Sequence, residues 1–130
     1  MADQIIAPKT VHPTKGYSHA IRTGDLVFVS GQVSQDTTGA VVGVGDPKVQ
    51  ADQVFQNLKA VLEAAGSGLD LIVKTTVLTT KLEYRPVINE ARERYFGPTG
   101  RFPASTFMVV TSLALPEWLI EIEAVATLRK

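Results

Sequence analysis

The segment at residues 119–128 alternates along its whole length between two sets of side chains. One face would carry Ile120, Ile122, Ala124, Ala126 and Leu128, and the other Leu119, Glu121, Glu123, Val125 and Thr127. A period of two residues is that of a β-strand, because successive side chains point to opposite sides of the sheet. The segment therefore predicts a strand with one wholly apolar face, and it places Glu121 and Glu123 together on the other face.

Two amphipathic helices are predicted before this strand. Asp46-Pro47 begins the first, because the carboxylate can cap free N–H groups and proline suits the first helical position. Gly66 is expected to end it, after apolar residues that recur at helical spacing. These residues are Val54, Phe55, Leu58, Val61, Leu62 and Ala65. Pro86 begins the second helix, and Gly97-Pro98 ends it.

The other strands are predicted from β-branched and apolar runs between turn residues. They are residues 17–22 and 26–33, which form a hairpin, followed by residues 71–79 and 105–111. Residues 34–45 predict a loop with one short edge strand. The chain is therefore expected to form a single domain over residues 1–130, with both helices on one face of a sheet. The other sheet face must then meet solvent or another chain.

The composition excludes several classes of function. Thirteen basic and thirteen acidic residues give zero net charge, which predicts neither a nucleic-acid surface nor a membrane-binding patch. The chain has no cysteine, so thiolate chemistry and cysteine-ligated metals are excluded. His12 and His19 lack the spacing of metal ligands, and we expect no metal and no other cofactor. Without a signal peptide or a membrane-spanning run, a cytoplasmic location is expected.

Few residues have the spacing of a reactive site. The glycines at 39, 43 and 45 match no phosphate-binding motif, and Ser30 does not lie in a nucleophile elbow. Glu121 and Glu123 lie roughly 7 Å apart along one strand face. If they are desolvated, one pKa rises towards the range of a general acid or base. Paired carboxylates are also ordinary on a solvated strand face or at a subunit contact, and spacing alone leaves these interpretations open.

Motifs along nearly the whole chain resemble those of one protein family. They are Gly16-Tyr17, Val29-Ser30-Gly31-Gln32-Val33, Leu62-Glu63-Ala64-Ala65-Gly66, Ile72-Val73-Lys74-Thr75-Thr76-Val77, Val87-Ile88-Asn89, Tyr95-Phe96, Phe102-Pro103-Ala104 and Ile120-Glu121-Ile122-Glu123-Ala124-Val125-Ala126. Together they resemble the reactive-intermediate deaminase family, also called Rid, YjgF or endoribonuclease L-PSP-like.

The resemblance implies a chorismate-mutase-like α+β fold with a mixed sheet, assembled as a homotrimer with ligand clefts between subunits. Active members of the family hydrolyse enamines and imines to 2-oxo acids and ammonia. By resemblance, Glu121 directs the attacking water and Tyr17 lies at the cleft. Ser30, Gly31 and Asn89 would line the pocket. The implied partners are two further copies of the chain and a small metabolite.

The chain departs from the family pattern at the residue that binds the substrate carboxylate. Active members have an arginine after Pro-Ala, whereas Pro103-Ala104 is followed here by Ser105. A thiol that often follows two positions later is replaced by Phe107, which shares a strand face with Ser105. Arg101 is not a simple substitute, because four extended residues displace it by about 13 Å.

Three functional hypotheses follow from this combination. The first is an enamine or imine deaminase-like hydrolase with an altered substrate and poor activity on 2-aminoacrylate or 2-iminobutyrate. The alternative is a non-catalytic trimer that binds a ligand or partner in the same clefts. A ribonuclease activity, which follows an old family label, is disfavoured because the zero net charge supplies no basic stripe.

Overall fold

The computed structural model describes residues 2–130, which form one six-stranded sheet and two α-helices. The elements are β1 (Gln4–Ile6), β2 (Ala20–Thr23), β3 (Leu26–Gln32), α1 (Pro47–Ala64), β4 (Ile72–Thr79), α2 (Arg85–Phe96), β5 (Ala104–Val109) and β6 (Ile120–Thr127). The strand order is β1-β2-β3-β6-β4-β5. All neighbours are antiparallel except β4 and β5, so the sheet is mixed.

The alternation that predicts the last strand is confirmed in β6. Ile120, Ile122, Ala124 and Ala126 are all buried against the helices, whereas Glu123 is exposed. The helix α1 contributes the largest apolar group to the same core, namely Val54, Phe55, Leu58, Val61 and Leu62. Burial of a large apolar side chain is worth about 1.5–3 kcal/mol, so this layer supplies most of the driving force for folding. The α+β fold class is confirmed.

Both ends of α1 follow the local chemistry of the sequence. The Asp46 carboxylate accepts hydrogen bonds from the backbone N–H groups of Lys48 and Val49, each at 3.1 Å. At the other end, Gly66 has a φ of 81°, which a residue with a Cβ rarely adopts. The backbone N–H of Ser67 then donates to the Leu62 carbonyl at 2.8 Å, which satisfies one of the last free carbonyls.

The structure differs from the sequence predictions at three places in the sheet and its loops. No strand is predicted before residue 17, but Gln4–Ile6 form β1 by pairing with β2. A strand this short has almost no periodicity to read. The strand predicted from Tyr17 begins instead at Ala20. The edge strand expected within residues 34–45 is wrong, because this loop contains only an isolated bridge between Gln35 and Val41.

The sheet face opposite the helices is open in the single chain. Its exposed apolar residues include Phe28 on β3, 46% exposed, and Met108 on β5, 45% exposed. Phe28 pairs with Val125, and Met108 pairs with Leu78 on β4, so this face carries one apolar patch on β3 and β6 and another on β4 and β5. Such surface typically contacts another protein chain.

Candidate active-site cleft

The candidate site is a cleft of about 310 Å³ beside strands β3 and β6. It is lined by Tyr17, Ser30, Gly31, Val33, Ala114, Trp118 and Glu121. The structure thus brings together four of the residues that the sequence predicted for the site, namely Tyr17, Ser30, Gly31 and Glu121.

An irregularity in the pairing of β3 with β6 creates the space for this cleft. Val29 pairs with Ala124 and Gln32 pairs with Ile122, so two residues of β3 stand opposite one residue of β6. The extra residue lies in the Ser30-Gly31 step, which is the arrangement of a β-bulge. Bulges redirect side chains at functional sites, and this one leaves room for the Glu121 side chain.

Glu121 lies directly against the backbone of Gly31. A Cβ placed on Gly31 would lie 2.6 Å from Cδ of Glu121 and 2.8 Å from its Cγ, which is closer than van der Waals contact allows. The half-buried carboxylate therefore occupies the volume that any side chain at position 31 would fill. Glycine is required here by the close approach of the carboxylate, and not by a positive φ angle.

The electrostatic environment favours the protonated form of Glu121. Burial raises the pKa of its carboxyl group, and the negative charge of Glu123 raises it further. Both carboxylates belong to β6 and lie two residues apart, so their predicted sharing of a strand face is confirmed. A carboxylate with a raised pKa accepts a proton more readily than an ordinary surface carboxylate, which suits a general base.

Tyr17 lies at the exposed side of the cleft. Its side chain is 51% exposed, yet partial burial of the phenol raises its pKa and the charge of Glu121 raises it further. The phenol is therefore neutral at physiological pH and can donate a hydrogen bond. Ser30 is different, because its hydroxyl donates to the Ser18 carbonyl at 2.6 Å. This bond anchors the bulge, and it fits the prediction that Ser30 is not a nucleophile.

Two buried histidines lie behind the cleft, where the sequence predicted no function for them. His19 Nε2 donates to the His12 carbonyl at 2.6 Å, and the Gln32 amide donates to His19 Nδ1 at 3.1 Å. The same amide donates to the Ser30 carbonyl at 3.2 Å, so the network reaches the bulge. His12 Nε2 lies 3.5 Å from the Tyr17 hydroxyl, which links the network to the cleft.

The partners of the His19 ring define its tautomer. His19 carries its proton on Nε2, which donates to the His12 carbonyl, and its Nδ1 accepts the bond from Gln32. His12 Nδ1 is buried without a hydrogen-bond partner among the described residues, so Nε2 is the ring nitrogen of His12 that lies close to Tyr17.

The buried His12 makes stability depend on pH. Burial lowers the pKa of His12 below its ordinary value of 6.5, and the neighbouring His19 lowers it further. Below pH 6.5 the unfolded chain binds a proton before the folded chain does, so the free energy of unfolding falls as the pH falls. One such group gives a slope of at most about 1.4 kcal/mol per pH unit.

We expect His12→Asn to remove this component of the slope between pH 7.5 and 5. Urea unfolding of both proteins across this range measures it, and taking the difference between them cancels the opposite contribution of Glu121. Parallel curves for the two proteins would show that His12 has the same pKa in the folded and unfolded states.

The other three predicted site residues lie away from Glu121 within one chain. Ser105 and Phe107 pair with Thr75 and Val77 on β4, whereas Glu121 pairs with Leu78. Because neighbouring residues of a strand face opposite ways, Ser105 and Phe107 lie on the helix side of the sheet and Glu121 on the open side. Their predicted sharing of a strand face is confirmed. Asn89 is exposed on α2.

The Arg101 guanidinium donates to the carbonyl of Ile72 at 3.0 Å, which holds it at the beginning of β4. That Arg101 is not a simple substitute for an arginine at position 105 stays a prediction. Within residues 2–130, no three His, Asp or Glu side chains are grouped so as to hold a metal ion. No helix in the same range is long and apolar enough to cross a membrane. The cytoplasmic location stays a prediction.

The protein is therefore a small α+β protein whose candidate site holds a carboxylate and a phenol in one cleft beside a β-bulge. The profile of the family described as Endoribonuclease L-PSP matches residues 7–128, nearly the whole chain. The chain belongs to this family, which is the Rid/YjgF family that the sequence motifs indicated.

Individual relatives agree with this assignment. The chain is 38% identical over 130 residues to a RutC family protein of Pyrococcus abyssi, covering 97% of this chain and 98% of the relative. The crystal structure of the YjgF gene product of E. coli superposes with a TM-score of 0.89 at 34% identity, covering 97% of this chain and 99% of that one. A 2-iminobutanoate/2-iminopropanoate deaminase of Dermatophagoides farinae is 29% identical, over 95% of this chain and 91% of the relative.

Proposed function

We propose that this protein hydrolyses the C=N bond of an imine, or of the imine form of an enamine, in clefts between the subunits of a homotrimer. The observation that carries the proposal is the Glu121 carboxylate, half-buried beside Gly31 and with a raised pKa. A relative that is named as an imine deaminase supports the reaction class.

The chemistry requires a base and a hydrogen-bond donor. Glu121 takes a proton from water as the water oxygen attacks the carbon of the C=N bond, and the substrate nitrogen takes a proton from solvent to give a carbinolamine. Glu121 then returns its proton to this nitrogen, the hydroxyl group loses its proton to solvent, and the C–N bond breaks. Ammonia leaves and a carbonyl group remains. Tyr17 lies within electrostatic reach of Glu121, so its O–H can orient the water or the substrate.

The positions of the predicted site residues support the proposed assembly. Glu121 lies on one side of the sheet, with Tyr17 in the same cleft, and Ser105 and Phe107 lie on the other side. A neighbouring chain on the open face would bring its own Ser105 and Phe107 towards this cleft, and the exposed Phe28 and Met108 would be buried. Light scattering of the purified protein tests the homotrimer directly.

The substrate differs from that of an arginine-bearing deaminase. Ser105 offers a hydrogen bond but no charge, and loss of one member of a desolvated charge contact costs about 2–5 kcal/mol. We therefore expect turnover of 2-iminobutanoate, generated in situ and followed by ammonia release, at least tenfold below that of an arginine-bearing relative. Ser105→Arg should raise this activity and tighten binding of 2-oxobutanoate. Equal calorimetric affinities for both proteins would contradict the role of position 105.

A second candidate function is ligand binding without catalysis, which the serine at position 105 favours. An ammonia-release assay over imines with neutral, singly charged and doubly charged side chains separates the two functions. Hydrolysis of one imine that disappears in Glu121→Gln supports the hydrolase. Binding of the corresponding oxo acids without hydrolysis of any imine supports the binding protein.

A further inference from the structure

One face of α2 carries two arginines on either side of Asn89, a residue that is predicted to line the substrate pocket. Arg85, Asn89 and Arg92 follow one another at spacings of four and three residues, which places them on the same side of a helix. The Arg85 guanidinium lies over the ring of Phe107, 5.4 Å from its centroid. The helix face therefore adjoins the strand face that carries Phe107 and Ser105.

Both arginine side chains are held in place by specific contacts. The cation–π contact with Phe107 restrains Arg85. Arg92 is half-buried and donates from Nη1 to the side-chain oxygen of Asn89 at 3.2 Å. This bond also turns the Asn89 amide, so that its NH₂ group remains available as a donor beside the two guanidinium groups.

The two positive charges are not neutralised within the part of the chain that the structure describes. No carboxylate of residues 2–130 forms a salt bridge with Arg85 or Arg92. By contrast, Arg94 on the same helix pairs with Asp52 at 3.4 Å and with Glu90 at 3.8 Å. Burial lowers the pKa of Arg92, and the positive charge of Arg85 lowers it further.

We propose that Arg85, Asn89 and Arg92 form a binding site for a doubly negative oxyanion on the ligand, such as a pair of carboxylates or a phosphate. A single negative charge would leave one guanidinium uncompensated, whereas two negative charges balance both. The planar guanidinium group is suited to carboxylate and phosphate oxygens because it donates two parallel hydrogen bonds.

In this proposal, arginines of α2 supply the positive charge that Ser105 does not. Charge that active relatives place on β5 at position 105 is supplied here from α2, on the other side of Phe107. Because the ligand would enter the intersubunit cleft, the inference rests on the proposed function. It predicts that the substrate is an imine with one more negative charge than 2-iminobutanoate.

Calorimetry with three probes tests the site: 2-oxobutanoate, 2-oxoglutarate and inorganic phosphate. The wild-type protein should bind 2-oxoglutarate or phosphate roughly tenfold more tightly than 2-oxobutanoate, with a preference that weakens as salt is added. Preference for 2-oxoglutarate alone identifies a dicarboxylate, and preference for phosphate identifies a phosphate ester. Arg85→Gln and Arg92→Gln should each weaken binding of the preferred probe by roughly tenfold or more.

Arg94→Gln is the matched control. Arg94 lies on the same helix, but its charge is already balanced by salt bridges to Asp52 and Glu90. The substitution should change these affinities by less than about twofold. Equal affinities for all three probes, or unchanged binding in both test variants, would overturn the proposal. Light scattering accompanies each variant, and loss of assembly together with binding in Arg85→Gln and Arg92→Gln would assign the arginines to a subunit contact instead.

The outcome is separable from that of the proposed function. Glu121→Gln leaves the two arginines in place, so it should still bind the preferred probe while it loses hydrolysis. If the wild-type protein binds the dianion through Arg85 and Arg92 but hydrolyses no imine, the hydrolase proposal fails and the oxyanion site stands. If the protein hydrolyses neutral imines and the arginine substitutions have no effect, the hydrolase proposal stands and the oxyanion site fails.

Discussion

Glu121→Gln is expected to lower kcat/KM for imine hydrolysis by about 10²–10⁴-fold, the usual contribution of a general base. Glutamine keeps the size of the side chain, and Gly31 leaves the same space for it. The amide cannot take a proton from water. Ammonia release measures the rate, and calorimetry with the product oxo acid should show binding within a fewfold of the wild type. Unchanged turnover would remove Glu121 from the chemistry.

Glu123→Gln is the matched control for this experiment, since the same change is made two residues away on the exposed part of β6. It should retain most of the activity. The pH profile adds a second readout, because the base must be ionised and the rate should rise with pH through the raised pKa of Glu121. Removing the charge of Glu123 lowers that pKa, so the rising limb in Glu123→Gln should shift to lower pH.

Periodicity predicted the parts of the fold that bury the most apolar surface. The Ile120–Thr127 strand and the Pro47–Ala64 helix each repeat their pattern over several turns or pleats, and both occur close to the expected bounds. Gln4–Ile6 was missed because pairing with β2 creates it, and three residues carry no detectable period. Hydrophobic periodicity predicts a helix or strand only when the element is long enough for the pattern to repeat.

Only some residues of the cleft and its surroundings could be predicted from the sequence. The motifs pointed to Tyr17, Ser30, Gly31 and Glu121, and the structure brings them together. The sequence analysis did not predict the network of His12, His19 and Gln32. Its hydrogen bonds form only when the segment before β2 folds against β3, and the two histidines do not have the spacing of metal ligands. Arg85 and Arg92 are seven residues apart in the sequence, but helical arginines are ordinarily solvated or paired. Their contacts with Phe107 and Asn89, together with the lack of a salt bridge to either within the described residues, distinguish them from Arg94 on the same helix.

Gly31→Ala is expected to reduce hydrolysis by an amount similar to Glu121→Gln while leaving the fold intact. The new methyl group would overlap Cδ and Cγ of Glu121, so the carboxylate must rotate away from its position in the cleft. Displacement of a catalytic group by about 1 Å can cost roughly 100-fold. The backbone at Gly31 has no positive φ, and the end of a glutamate side chain is free to move, so the protein should still fold.

Gly97→Ala provides the comparison for this prediction. Gly97 has helical backbone angles, and apart from its two chain neighbours the nearest atom to an added Cβ there is Oε2 of Glu93 at 4.0 Å, an ordinary contact. Because Pro98 follows, a Cβ at position 97 disfavours these helical angles, so Gly97→Ala should lose some stability and still keep its activity. Both variants should remain folded in the absence of urea, but only Gly31→Ala should lose activity. A fully active Gly31→Ala protein would mean that the carboxylate acts from a different rotamer. Catalysis would then not depend on the close packing of Glu121 against the bulge.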